Sequence, residues 1–176
     1  PMILSALKIP GFSTYMHPWS SQLLLGIGYN ANEQGRTDSV KLSMFNITNP
    51  SFVTEQDKYN LDIYYTPALY DHKAIMVEPA RNLIGFASDD GYYLVFAYRQ
   101  SGFYQLAKLP IGETRFSGHT DNYFNNTRGL YVGDSLYIFS DTYLDVYDLN
   151  TFEYQGSINI IDGNPAQYFH GGLMPM

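Results

Sequence analysis

An all-β fold built from a duplicated quartet of strands is predicted by three observations. The composition is rich in aromatics and poor in charge, a set of apolar positions recurs at a fixed step, and the central strands are apolar on both faces. Tyr (17) and Phe (11) dominate the hydrophobic residues of the 176-residue chain, and such side chains suit pleated, half-buried surfaces. The charged fraction of 15% is the opposite of a disordered composition.

Three copies overlay. Their first recognisable strands start at Leu24, Leu83 and Leu136, and the next strands centre on Phe45, Phe96 and Tyr147, at steps of 51 residues. Met44, Val95 and Val146 precede these aromatics, Leu42, Tyr93 and Leu144 lie three before, and Ile47, Tyr98 and Leu149 two after. Turn residues follow (Asn49-Pro50-Ser51, Gln100-Ser101-Gly102, Asn150-Thr151), and a last strand opens at Phe52, Phe103 or Tyr154. A strand apolar on both faces is covered on both faces. Four-stranded sheets stacked around an axis provide that setting, and a period near 50 belongs with propeller repeats. The expected architecture is therefore a β-propeller fragment of about three four-stranded antiparallel blades plus flanking strands.

Residues 1–176 divide accordingly: 1–10 as the outer strand of a preceding blade, blades at 13–60, 64–111 and 124–161, and 165–176 as the start of a further one. The innermost strands are expected within Tyr15–Ser21, Leu69–Val77 and Gly129–Val132. The polar stretch Tyr29–Ser39 reads as a long loop, a common place for binding. Three blades fall short of a closed ring, so further blades or a second copy of the chain would complete it.

The charge excludes some functions. A net charge of −7 with 10 scattered basic residues offers no stripe for nucleic acid and no patch for an anionic membrane. With no Cys, disulfides, thiolate catalysis and Cys metal sites are absent. No apolar run is long enough to cross a bilayer as a helix.

Several strings carry a resemblance: Leu7-Lys8-Ile9-Pro10-Gly11-Phe12-Ser13, Leu25-Gly26-Ile27-Gly28-Tyr29, Gly35-Arg36-Thr37, Lys41-Leu42-Ser43-Met44-Phe45, Ala68-Leu69-Tyr70-Asp71-His72-Lys73-Ala74 and Arg128-Gly129-Leu130-Tyr131-Val132-Gly133-Asp134. The chain resembles bacterial secreted proteins with a C-terminal β-propeller domain. The resemblance implies a longer exported or lipid-anchored parent, secreted or associated with the cell envelope. It supplies no catalytic residue.

Tyr15-Met16-His17, Tyr70-Asp71-His72 and Tyr168-Phe169-His170 share an aromatic-x-His pattern before or within the expected innermost strands, while Arg128 follows Phe124-Asn125-Asn126-Thr127 in the third unit. His17, Tyr70, Asp71, His72, Arg128 and His170 are thus candidate binding residues at the channel mouth. Two readings stand for the histidines: ligands of a metal or anion, or pegs that hydrogen-bond within each blade. Asp89, Asp90, Asp134, Asp141, Asp145 and Asp148 suit turns. Asp162-Gly163-Asn164 could hold calcium but lacks EF-hand spacing, and no cofactor is expected otherwise. Nucleophile elbows and phosphate loops are absent. Trp19 and exposed tyrosines could stack on sugar or peptide.

These features point to a non-catalytic extracytoplasmic binding or scaffolding module whose partner is a protein or cell-envelope glycan. The rival is an extracellular carbohydrate-active hydrolase or lyase using His or carboxylates at the mouth.

Overall fold

The structure, a computed structural model, describes residues 2–32, 34–100, 102–112 and 122–161, with backbone only at 122 and 123. Twelve strands form three separate four-stranded sheets among these residues. The first blade is β1 (Phe12–Pro18), β2 (Leu23–Ala31), β3 (Thr37–Asn46) and β4 (Thr54–Asn60). The second is β5 (Ile75–Glu78), β6 (Leu83–Ala87), β7 (Tyr92–Arg99) and β8 (Gly102–Pro110). The third is β9 (Arg128–Val132), β10 (Ser135–Phe139), β11 (Tyr143–Asp148) and β12 (Tyr154–Asn159). Each is an antiparallel meander in chain order, and no α-helix occurs among the described residues.

Alternation along β7 shows how the blades stack. Leu94 and Phe96 join the core shared with Leu25, Ile27, Leu42 and Met44 of the first blade. Tyr93 and Val95 join the core shared with Leu136, Ile138 and Tyr147 of the third. The second blade is therefore hidden on both faces, as the doubly apolar pattern requires. Among the described residues the third is covered on one face only, and its β10 alternates between half-buried and buried positions.

One irregularity recurs in every blade. The ladder between the third and fourth strands skips a residue between Met44 and Phe45, between Val95 and Phe96, and between Val146 and Tyr147. The skipped residues are Gln56, Leu106 and Gln155. A bulge bends and twists its strand, so the repeat is confirmed in backbone geometry as well as composition.

Several expectations shift. Phe45 pairs with Leu24 and Tyr147 with Leu136, but Phe96 pairs with Ile84, not Leu83. The extra residue lies in the β6–β7 turn: Ser88 N–H donates to the Tyr92 carbonyl four residues on, whereas Ser140 N–H in the third blade donates to Tyr143, three residues on. Phe52 precedes β4 and is 72% exposed, because the turn between β3 and β4 is longer than its equivalents. The stretch Tyr29–Ser39 is mostly hairpin: Tyr29, Asn30 and Ala31 pair with Val40, Ser39 and Thr37. Asn30 Nδ2 donates to Asp38 Oδ1 across the strands at 2.9 Å. The Asn32 side chain closes the turn by accepting the Gln34 and Arg36 N–H groups. Trp19 is buried, edge-on to Tyr98 at 6.2 Å, and cannot stack on a ligand.

Residues 2–9 form no strand, since none of the described residues offers them a ladder. Of these, Leu7, Lys8 and Ile9 line an open hollow of about 440 Å³ with Met16, Leu24, Phe45 and Val53 of the first blade, while Met2, Ile3 and Leu4 are largely exposed. Lys41 Nζ fastens this segment by donating to the Pro10 carbonyl at 2.9 Å and to Glu55 Oε1 at 3.1 Å. The expected further strand at 165–176 lies outside the described residues.

Candidate functional site

In an up-and-down blade, the start of the first strand, the turn between the second and third, and the end of the fourth share one end. The linkers between blades therefore gather there with the β2–β3 hairpin. Thr66-Pro67 starts the first linker's structure: Thr66 Oγ1 accepts the Ala68 N–H, Pro67 takes the first position of a 3-10 turn, and Pro67, Ala68 and Leu69 are buried. This anchoring projects Tyr70 outward, 70% exposed.

Tyr70 stands in an aromatic group drawn from three units. Its hydroxyl is hydrogen-bonded to Tyr29 Oη of β2 at 3.1 Å. Its ring stacks against Tyr65 at 6.2 Å and 25°, and Tyr65 meets Phe124 edge-on at 5.9 Å. Burial, reinforced by the Tyr70 hydrogen bond, pushes the Tyr29 hydroxyl up to about 12.

Asp71, next in the chain, uses both carboxylate oxygens. Oδ1 accepts the Lys73 N–H at 2.9 Å and caps the 3-10 turn His72–Ala74. Oδ2 accepts from Arg128 Nη2 at 2.5 Å. The Lys73 N–H foremost holds this carboxyl below the usual aspartate range, outweighing the opposing effect of burial, and the Arg128 charge adds to the lowering. Arg128 Nη1 also donates to the Thr127 and Asn125 carbonyls at 2.8 and 3.3 Å. The guanidinium thus joins the second blade's linker to the start of β9.

Of the residues the sequence singled out, Tyr70, Asp71 and Arg128 come together. His72 is adjacent and exposed. His17 is elsewhere: it sits near the end of β1, opposite Leu25, at the far end of the blades. There its Nδ1 is 2.9 Å from Tyr15 Oη, a bond within its own blade of the peg kind. The shared aromatic-x-His spacing carried no strand direction, so one copy closes an inner strand and the other precedes one. His170 and Asp162-Gly163-Asn164 lie outside the described residues. Among the described residues no three His, Asp or Glu side chains gather as metal ligands would.

The carboxylates serve turns and pairs. Asp89 Oδ2 accepts the Tyr64 N–H, Asp90 accepts from Ser88 and Lys108, and Asp145 Oδ2 accepts the Gly112 N–H. Asp148 Oδ1 accepts from Asn150 and Thr151, Thr151 foremost in lowering its pKa. Tyr29, Tyr65 and Phe124 were missed as site residues. The readable signal was Tyr64-Tyr65 directly before Thr66-Pro67, two adjacent aromatics in the linker between blades.

The family model described as beta propeller domain matches residues 1–152. An uncharacterized protein of Methanocaldococcus jannaschii is 30% identical over 170 residues, covering 96% of this chain and 24% of its own length. An uncharacterized protein of Archaeoglobus fulgidus is 31% identical over 161 residues, 91% of this chain and 22% of its own. The chain spans about a quarter of the length of the curated relatives it matches. Three bulged four-stranded blades and a match over most of the sequence place the chain in the beta propeller domain family.

Proposed function

We propose that this chain is a non-catalytic binding module, part of a longer propeller displayed outside the cytoplasmic membrane, that takes a cell-envelope glycan at the tyrosine cluster. One observation carries the reading: Tyr70 is 70% exposed, braced from behind by Tyr29 and Tyr65, with the Asp71–Arg128 pair at its side. A rigid aromatic face suits the apolar face of a sugar ring, and a fixed carboxylate–guanidinium pair offers acceptors and donors to hydroxyls around it. Recognition fits these residues better than hydrolysis does. Asp71 is already committed to an N–H and a guanidinium, which favours its ionised form and disfavours proton donation. The extracytoplasmic setting is supported by the resemblance to secreted propeller proteins.

Calorimetric titration with solubilised cell-envelope glycan fragments tests the reading, with an unstructured peptide mixture as the second arm. Binding of the glycan is expected, weakened about tenfold by Tyr70→Ala, as loss of one stacking platform implies. Absence of glycan binding, or an affinity indifferent to Tyr70→Ala, would refute it. Protease accessibility of the full-length protein on intact cells tests the location.

A further inference from the structure

The two junctions between blades differ at the end opposite the tyrosine cluster. At the first, the bulge residue Gln56 donates from Nε2 to Tyr98 Oη at 2.7 Å, and Asp57 Oδ2 accepts the Phe103 N–H at 2.9 Å. Trp19 and Phe103 pack against Tyr98 from either side. The shared bulge and the 51-residue step make Leu106 and Leu149 the counterparts of Gln56 and Tyr98 at the second junction. Two leucine side chains cannot form that hydrogen bond. A cleft of about 590 Å³ opens there, its apolar wall formed by Leu83, Leu106, Leu149 and Phe152, with Arg81 and Arg99 at its edge. It adjoins a second hollow of about 380 Å³ that shares Arg99 and Leu106.

Asp134 also lines the cleft, and against it the two arginines leave a net positive charge, opposite to that of the molecule. Two of the five arginines line it in a chain of net charge −7. Arg81 is held in place: Nη1 donates to the Gly133 carbonyl at 3.1 Å, the guanidinium lies 4.7 Å from the Tyr131 ring centroid, and Asp134 is 3.9 Å away. Arg99 has no side-chain hydrogen bond or ion pair among the described residues. Among the described residues, the non-glycine residues with left-handed φ, namely Asn82 (55°), Gln100 (51°) and Phe152 (59°), all lie in the turns around it. Each such backbone costs on the order of 1 kcal/mol or more and is kept where the surroundings impose it.

We propose that this cleft binds a peptide segment bearing adjacent aliphatic and acidic side chains. The carboxylate pairs with Arg99, flanked by Arg81, and the aliphatic side chain enters between Leu83, Leu106 and Leu149. The aliphatic wall beside two guanidinium groups favours an acidic, aliphatic segment. This site is separate from the glycan reading and lies on the other face.

A fluorescein-labelled Gly-Leu-Glu-Leu-Glu-Gly peptide titrated with the full chain by anisotropy provides the test, with Gly-Leu-Lys-Leu-Lys-Gly as its charge-reversed counterpart. Saturable binding of the acidic peptide is expected, weaker at higher salt and at least tenfold weaker with Arg99→Gln. Leu106→Gln with Leu149→Tyr copies the first junction's lock. It should abolish peptide binding while the Tm is held and glycan affinity is unchanged. The proposal is overturned if the wild-type chain shows no saturable binding, if the lysine peptide binds equally well, or if Arg99→Gln and the double variant leave affinity intact.

Discussion

Tyr93 lies wholly inside the second junction, and its hydroxyl has no hydrogen-bond partner among the described residues. Burial pushes its pKa upward. A buried polar group without a partner is a net cost, so Tyr93→Phe should raise stability by about 1 kcal/mol in urea unfolding. Gly129 exists for the same ring: a Cβ there would fall 2.0 Å from Tyr93 Oη and 2.3 Å from Cζ. Gly129→Ala should cost about 2–3 kcal/mol, and Tyr93→Phe should not rescue it, because the ring carbon still collides. Tyr29 makes a prediction about pH. Its pKa is higher folded than the ordinary value near 10, so the folded state holds its proton longer than the unfolded chain. That contribution is complete below pH 10 and is lost as pH rises towards 12. Tyrosinate absorbance should show Tyr29 ionising earlier in Tyr70→Phe, which removes the bond between the two hydroxyls. At this scale the sequence named Tyr70, Asp71 and Arg128 from their places in the repeat. It missed Tyr29, which arrives through a hairpin pairing that no local spacing encodes.

Strands were legible where both faces are apolar, and for the same reason their phase was not. A pattern without alternation contains no information about which residue faces which neighbour, so Leu83 and Ile84 were interchangeable until the ladder placed Ile84 opposite Phe96. The polar hairpin read as a loop because Asn30 and Asp38, hydrogen-bonded side chain to side chain across it, are turn-favouring residues. Buried charge within an element is the other case. Lys41 is 1% exposed, and its partner Glu55 also accepts from Ser43 Oγ at 2.7 Å. Removing one member of such a pair strands the other, so Lys41→Met should cost about 3 kcal/mol. Lys41→Met with Glu55→Met should cost less than the sum of the single changes. A double-mutant cycle by urea denaturation measures the difference.

Across the molecule, the two cores are successive copies of one interface, the forward face of one blade against the rear face of the next. Among the described residues nothing packs on the third blade's forward face: Leu130, Val132 and Ile158 are 42%, 63% and 44% exposed. Cross-strand register puts Leu130, Tyr137 and Val146 in one row and Leu144 beside Ile158. A continuous apolar face of this kind invites association. Sedimentation velocity should show the chain associating with rising concentration. Val132→Lys with Ile158→Lys should suppress this without lowering the Tm.

Both junctions join the same two kinds of surface, though the Gln56–Tyr98 hydrogen bond belongs to the first one. A nick in the linker ahead of β5 would release one blade and a pair, each carrying the half-interface the other lacks. Mixed in solution, the pieces should find one another again, much as the uncut neighbours do.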